Sequence, residues 1–231
     1  MSIVLVTRPS PDGETFAEDC RAAGLTAVLA PVMRIDIDNT SIDLSGVGAL
    51  AFTSANGVRA YAANIARRDL PAYAVGAVTA AAAHEAGFGD VRVADGDVSS
   101  LADHIAGEKA ELHGALLHLA GETVAGDLVA MLTARGVAAR RASLYRAEAL
   151  DALPDAALTA LAREAGWVSL FSPRTARLFR TLAAGADLSR WRAACLSDAV
   201  AAASGDGWAG VSVAARPDAA GMIALMTGRG A

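Results

Sequence analysis

The sequence predicts an α/β protein with parallel sheets, arranged as two similar domains. Two observations lead to this prediction. Short apolar runs that suit buried strands alternate with longer, alanine-rich stretches that suit helices. In addition, three segments of the first part of the chain resemble three segments further along it. Alternation of strands and helices is typical of a parallel sheet that is covered by helices on both faces.

Nine short apolar runs are predicted as strands. They cover residues 3–6, 27–29, 49–53, 72–75, 91–93, 115–119, 167–171, 193–196 and 211–214. The first helix is predicted over residues 16–23 and ends before Gly24, since glycine is the commonest residue after a helix. Helices are predicted in the other long intervals.

The repeated segments occur in an order that predicts a domain insertion. Residues 51–59 resemble 170–177, residues 75–80 resemble 196–201, and residues 4–24 resemble 116–136. The segment 4–24 therefore stands far from the two segments that should accompany it. One domain inserted in another of the same kind explains this order most simply.

The insertion predicts the domain bounds. Residues 1–33 and 150–231 would form a discontinuous flavodoxin-like domain, and residues 39–143 the inserted one. The crossings at 34–38 and 144–149 alternate in side-chain character, so they are expected to pair as a two-stranded ladder. In the alternative, both crossings are edge strands of one larger sheet, and the repeat favours two domains.

Composition excludes several classes of function. The formal net charge of -5 argues against a nucleic-acid-binding protein. The two cysteines and four histidines are scattered, which argues against a zinc site. The longest nearly apolar stretch, residues 72–83, is shorter than the roughly 18 residues that a membrane helix needs. A cytoplasmic protein without a membrane segment or a signal peptide is therefore expected.

Loops that follow four predicted strands are candidates for binding an anion. In open parallel sheets, ligands bind at the carboxyl ends of the strands. Helix N-termini there offer unpaired N–H groups to anions. The loops lack the glycine patterns of nucleotide sites. Each serine has a second possible role as a helix cap, and Ser172 before Pro173 suits that role well. His118 is predicted as a satisfied structural histidine, and Arg67 and Arg68 as part of a solvated face.

Six motifs, taken in order, resemble the uroporphyrinogen-III synthase family along nearly the whole chain. They are Val4-Leu5-Val6-Thr7-Arg8-Pro9, Phe52-Thr53-Ser54 with Gly57-Val58, Val75-Gly76 with Thr79-Ala80, Gly121-Glu122, Gly136 leading to Tyr145, and Phe171-Ser172-Pro173. The resemblance implies two α/β domains, one inserted, with the active site in a cleft. One departure is Leu196-Ser197-Asp198-Ala199-Val200, where the family usually has glycine and threonine.

The resemblance also implies the reaction. Hydroxymethylbilane would lose water and close to uroporphyrinogen III with its terminal pyrrole ring inverted, a lyase step in heme and other tetrapyrrole biosynthesis. No cofactor and no metal would be needed. The protein would be a monomer whose partners are the substrate and, transiently, the preceding pathway enzyme. Two alternatives stay open: a non-catalytic tetrapyrrole-binding relative, and a flavodoxin-like sensor or binding module for another small anion.

The matching positions supply the candidate site. Tyr145 would assist departure of the hydroxyl as an acid or hydrogen-bond donor, or else only pack at the domain junction. The residues that would bind the substrate carboxylates, many through backbone N–H groups, are Arg8, Thr53, Ser54, Gly76, Thr79, Gly121, Ser172 and Ser197.

Overall fold

The computed structural model describes residues 2–124 and 126–228 of the chain. Eleven strands and nine α-helices lie in these ranges. In chain order they are β1 (Ile3–Val6), α1 (Asp12–Ala22), β2 (Thr26–Leu29), β3 (Met33–Ile37), β4 (Val47–Phe52), α2 (Ala55–Asn64), β5 (Ala72–Ala74), α3 (Ala77–Glu85), β6 (Val91–Val93), α4 (Val98–Gly107), β7 (Ala115–Gly121), α5 (Leu128–Ala134), β8 (Ala139–Ala149), α6 (Asp155–Arg163), β9 (Gly166–Leu170), α7 (Pro173–Leu182), β10 (Trp191–Cys195), α8 (Asp198–Ser204), β11 (Gly210–Val213) and α9 (Ala219–Thr227). All nine predicted strands and both crossings are present, so the predicted fold class is confirmed.

The chain divides into two compact units. The first joins Met1–Arg34 to Glu148–Ala231, and the second consists of Ile35–Ala147. Neither unit contains a helix, among the described residues, that is long and apolar enough to cross a membrane.

The first unit contains a five-stranded sheet with the order β11-β10-β9-β1-β2, in which every neighbouring pair is parallel. One of its apolar clusters includes Val4, Val6, Phe16 and Met222. α1 begins at Asp12 rather than at Phe16, because Glu14 and Thr15 in its first turn are exposed and polar and the first buried aromatic comes a turn later. This unit therefore has the strand order 2-1-3-4-5 of doubly wound flavodoxin-like folds.

The second unit contains a six-stranded sheet with the order β3-β8-β7-β4-β5-β6. Apart from the added strand β3, this order matches that of the first unit when β7 is set against β1, β4 against β9, and β5 against β10. These are the strands that the sequence repeat pairs. β3 lies beside β8, which is the predicted ladder at the two chain crossings.

The sheet of the second unit has an apolar cluster on each of its faces. Phe52, Tyr61 and Phe88 lie on one face, and Leu101, Ile105 and Leu128 on the other. α2 packs very close to β7, since a Cβ on Gly57 would lie only 2.6 Å from the carbonyl oxygen of Leu119. A side chain at this position would therefore force the helix away from the sheet.

The prediction that Arg68 belongs to a solvated face is wrong. Its guanidinium lies 5.3 Å from the ring centroid of Tyr61 and 5.2 Å from that of Phe88. It also donates to the carbonyl of Ala86 at 2.8 Å. The long aliphatic stem lets the charged group cover an aromatic cluster while it satisfies backbone carbonyls.

Candidate active site

Each sheet has one point at which the chain reverses its direction of strand addition. In the second unit this point lies between β4 and β7, because the chain continues from β4 to β5 on one side and from β7 to β8 on the other. In the first unit it lies between β1 and β9. Ligands of doubly wound sheets bind outside the carboxyl ends of the strands at such points. The predicted substrate-binding residues stand at or just after the ends of strands at or beside these points, whereas Tyr145 lies within β8.

A cavity of about 200 Å³ opens at the reversal point of the second unit. Four predicted site residues line it: Thr53, Ser54, Gly121 and Tyr145. The sequence did not single out its other lining residues, which come from the loop after β7 and from the start of α4: Val98, Thr123, Val124 and Gly126. The cavity thus combines hydroxyl groups, a phenol and small residues at one strand edge.

Two larger apolar grooves lie along α9, with volumes of about 450 and 610 Å³. Alanine, leucine and isoleucine side chains dominate their walls, and none of the predicted site residues takes part. A ligand that carries several carboxylates needs hydrogen-bond donors, which these walls provide poorly. We therefore place the candidate site in the smaller, more polar cavity.

Tyr145 is half-buried, and its side chain both packs and lines the cavity. The ring contacts the apolar cluster around Phe52, while it also faces the cavity. Gly121 lies opposite Tyr145 in the β7–β8 register, and a Cβ there would lie 2.9 Å from the ring. The Tyr145 ring can therefore occupy this position only because residue 121 has no side chain. Among the described residues, the hydroxyl has no hydrogen-bond partner, so it is available to a ligand.

Thr53 is tied to a buried histidine. Its Oγ1 lies 3.0 Å from Nε2 of His118, whose residue is only 1% exposed. Nδ1 of the same ring has no partner in the part of the chain that the structure describes. Burial lowers the pKa of His118 to about 4, and the charge of Arg141 acts in the same direction. The predicted satisfied histidine is thus satisfied at one ring nitrogen only, and it is neutral at physiological pH.

Ser54 and Ser172 cap the helices that follow them, as the sequence indicated. Ser54 Oγ accepts from the backbone N–H of Asn56 at 3.2 Å, at the start of α2. Ser172 Oγ accepts from the backbone N–H of Thr175 at 3.1 Å, with Pro173 in the first turn of α7. Both serines adopt extended backbone, as N-caps do.

The candidate site residues that follow β5 and β10 lie one strand away from the points at which the direction of strand addition reverses. Gly76 is the extended N-cap of α3, and Thr79 lies buried in the first turn of that helix; neither lines the cavity. Ser197 is the N-cap of α8, but its side chain makes no capping bond, and the helix has only seven residues.

Arg8 lies at the reversal point of the first unit, and it is already paired. Its Nη2 lies 3.0 Å from Oδ2 of Asp12, and its guanidinium stacks 4.6 Å from the ring centroid of Phe171. Neither partner was predicted from the sequence. Asp12 stands four residues after Arg8, a spacing that was available as a signal, whereas Phe171 is brought close only by the pairing of β1 with β9.

The described residues contain no group of three or more His, Cys, Asp and Glu side chains that could hold a metal ion. That the reaction needs no cofactor remains a prediction. Both cysteines, Cys20 and Cys195, are buried free thiols, and burial raises the pKa of both. Neither thiol is therefore primed as a nucleophile.

Comparison with known proteins identifies the family. The family model described as uroporphyrinogen-III synthase HemD matches residues 14–224. The uroporphyrinogen-III synthetase of Helicobacter pylori has a similar structure, with a TM-score of 0.68, 16% identity and 97% of each chain covered. A mutant uroporphyrinogen III synthase of Thermus thermophilus is also similar, with a TM-score of 0.51, 19% identity and coverage of 100% of this chain and 98% of that one. At these identities the two structures show a shared fold. No curated protein matches the sequence.

Proposed function

The chain belongs to the uroporphyrinogen-III synthase family, and we propose that the cavity beside Tyr145 is where it carries out the family's reaction. The chain is a cyclising lyase of tetrapyrrole synthesis. It converts hydroxymethylbilane to uroporphyrinogen III, with loss of water and inversion of the terminal pyrrole ring. The observation that supports this location of the active site is that one cavity is lined by Thr53, Ser54, Gly121 and Tyr145.

The reaction makes modest demands on side-chain chemistry. Hydroxymethylbilane is intrinsically reactive, and it closes without an enzyme to the uninverted ring. The enzyme must hold one folded conformation of the substrate and favour the transition state that leads to inversion. Such catalysis is mainly orientation of the reacting groups, which a cavity of small residues and hydrogen-bond donors can provide.

Tyr145 is proposed to help the substrate hydroxyl depart as water. A phenol can donate a hydrogen bond or a proton to the leaving oxygen, which departs as water. Loss of the pyrrole N–H proton, which the phenolate can take back, then leaves a neutral, electrophilic azafulvene. Three features support this role: the phenol lines the cavity, its hydroxyl is unpaired within the described residues, and Gly121 leaves room for the ring. The packing of the same ring against the apolar cluster fixes its orientation.

Replacement of Tyr145 by Phe tests the role, because it removes only the hydroxyl. We expect kcat to fall by roughly 10²–10⁴-fold, the range of general acid catalysis, with little change in melting temperature. Tyr61→Phe is the matched control. Tyr61 belongs to the same unit, and its hydroxyl donates to the carbonyl of Arg67 at 3.0 Å rather than into the cavity. A fall of less than tenfold for Tyr145→Phe, or an equal fall for Tyr61→Phe, would leave Tyr145 with a packing role only.

The substrate carboxylates are proposed to bind at helix N-termini and at one cation. The residues concerned are Arg8, Thr53, Ser54, Gly76, Thr79, Gly121, Ser172 and Ser197. The capped starts of α2 and α7 present small side chains, which let a carboxylate approach backbone N–H groups. Arg8 should contribute more than any one serine, since charge-assisted bonds are about twice as strong as neutral ones. A KM that rises more for Ser172→Ala than for Arg8→Ala would contradict this distribution.

We also propose that the protein works as a cytoplasmic monomer that makes transient contact with the enzyme that supplies its substrate. The reactivity of hydroxymethylbilane supports such contact, since direct transfer between the two enzymes leaves the substrate less time to close spontaneously. The buried free thiols are compatible with a reducing compartment. Light scattering after size exclusion tests the monomer, and a mass of twice 23.4 kDa would contradict it.

A further inference from the structure

The hydrogen bond between Thr53 and His118 has a direction, and that direction determines what Thr53 can offer a ligand. The neutral imidazole carries one proton, on Nδ1 or on Nε2. With the proton on Nδ1, the Thr53 hydroxyl must donate to Nε2. With the proton on Nε2, the ring donates and Thr53 Oγ1 accepts. Both arrangements fit the 3.0 Å separation of the two atoms.

The unpaired nitrogen favours the second arrangement. Nδ1 is buried and has no partner among the described residues. If it carried the proton, the fold would bury an N–H donor that nothing accepts, and such orphaned donors are rare in native structures. If the proton is on Nε2, the donor is paired with Thr53, and only a ring lone pair is left without a partner. The surroundings of His118 therefore place its proton on the side of Thr53.

The state of the Thr53 hydroxyl follows. A threonine hydroxyl has one proton to donate and two lone pairs that accept. When Oγ1 accepts from His118, its own proton is free, and Thr53 lines the cavity. A substrate carboxylate can only accept hydrogen bonds. With the opposite tautomer, the Thr53 proton would be used on His118, and hydroxyl lone pairs would face the carboxylate.

We infer that His118 is a positioning residue, which donates from Nε2 to Thr53 and so presets the Thr53 hydroxyl as a donor to a carboxylate of the substrate. The inference rests on the proposed function, because it takes the cavity beside Tyr145 as the substrate site. It adds a residue that does not line the cavity, and it assigns the part of Thr53 as donation from the side chain rather than from the backbone.

The first test measures the tautomer without reference to activity. Nitrogen-15 NMR of the full chain labelled at histidine shows which ring nitrogen carries the proton. The four histidines are distinguished by comparison with His118→Gln. We expect His118 to be protonated at Nε2 and unprotonated at Nδ1 at neutral pH. A proton on Nδ1 would overturn the inference, whether or not the protein is active.

The second test uses kinetics with hydroxymethylbilane. His118→Met removes the ring donor at similar size, and we expect KM to rise about 2- to 10-fold, the worth of one net hydrogen bond, with a smaller effect on kcat. His118→Gln, which can still donate to Thr53, should restore most of the loss. In a Thr53→Val background, His118→Met should raise KM no further, because the two residues act as one unit. An equal rise in both backgrounds would show a general structural effect and overturn the inference.

The two failures can be told apart. If the wild-type protein forms no uroporphyrinogen III, the proposed function fails, whatever the tautomer. Suppose instead that the wild type is active while Nδ1 carries the proton, or while His118→Met raises KM equally in the wild-type and Thr53→Val backgrounds. In either case the function stands and the positioning role of His118 is refuted.

Discussion

The buried histidine beside Thr53 makes the stability of the fold depend on pH. Burial lowers the pKa of His118 from 6.5 to about 4 in the folded chain. Below pH 6.5 the unfolded chain therefore binds a proton that the folded chain resists, so stability is lost as the pH falls from 6.5 towards 4. The full difference corresponds to about 3 kcal/mol of unfolding free energy. Above pH 6.5 the imidazole of His118 is neutral in both the folded and the unfolded chain, so it no longer lowers the unfolding free energy.

Chemical denaturation between pH 4.5 and 7.5 checks this dependence. The unfolding free energy of the wild type should fall steadily below pH 6.5, and that of His118→Met should fall much less. Asp and Glu residues whose pKa is lowered, such as Asp43 and Asp218, lose their stabilising effect only at more acidic pH. Identical pH profiles for the wild type and His118→Met would show that the histidine titrates normally in the folded chain.

The side-chain roles that the sequence predicted correctly are local ones. Ser54 and Ser172 could be recognised as caps because capping depends on the next three residues only. The hydrogen bond between Thr53 and His118 could not be predicted from the sequence, since it joins residues 65 positions apart. It depends on the register of β4 with β7, in which Ala51 lies opposite His118. The contact of Arg8 with Phe171 depends in the same way on β1 and β9.

At the scale of single elements, the helix caps separate stability from binding. Ser172→Ala should lower the unfolding free energy by about 1 kcal/mol, since it removes the bond to the N–H of Thr175. Its effect on KM should be small, because the backbone N–H groups of α7 remain. Ser197→Ala is the matched control in the same unit, as Ser197 makes no capping bond, and its stability should hardly change.

Thermal unfolding of both variants, with KM measured on the same preparations, checks the contrast. Equal destabilisation by the two substitutions would mean that the cap of α7 contributes nothing specific. A large rise in KM for Ser172→Ala with an intact fold would mean that the hydroxyl itself binds substrate.

Strand positions were predictable to within a few residues, and one strand shows why its length was not. The sequence predicted only the crossing at 144–149, but β8 covers Ala139–Ala149. Its first half pairs in parallel with β7, from Leu116 opposite Ala139 to Ala120 opposite Ser143. Residues 139–143 contain two arginines, so hydrophobicity alone offered no sign of a strand there. Pairing with a neighbour, rather than composition, makes this segment a strand.

At the scale of the whole molecule, the inserted unit is expected to fold by itself. The unit Ile35–Ala147 has a six-stranded sheet and an apolar cluster on each face of that sheet. Residues 35–147 expressed alone should therefore unfold cooperatively, with helix and strand content, as an independent domain does. Circular dichroism during heating checks this expectation. A broad, non-cooperative change would show that the unit depends on the remainder of the chain.

The repeat was the signal that made the whole fold predictable from the sequence. Each half alone offers weak motifs, but the displaced segment 4–24 explained why matching strands lie so far apart in the chain. The cavity was less predictable, since half of its lining comes from the loop after β7 and from the start of α4, where no motif stands out.

The central claim is that this chain, acting without a cofactor, directs hydroxymethylbilane to the inverted ring. The most direct measurement is to dialyse the purified protein against a chelator, add hydroxymethylbilane, and separate the product isomers after oxidation. We predict that uroporphyrinogen III is the main product, that the uninverted isomer dominates in the blank without protein, and that added metal ions do not change the rate. A product mixture equal to that of the blank would contradict the assignment of the reaction, and activity that returns only with a metal would contradict the absence of a cofactor.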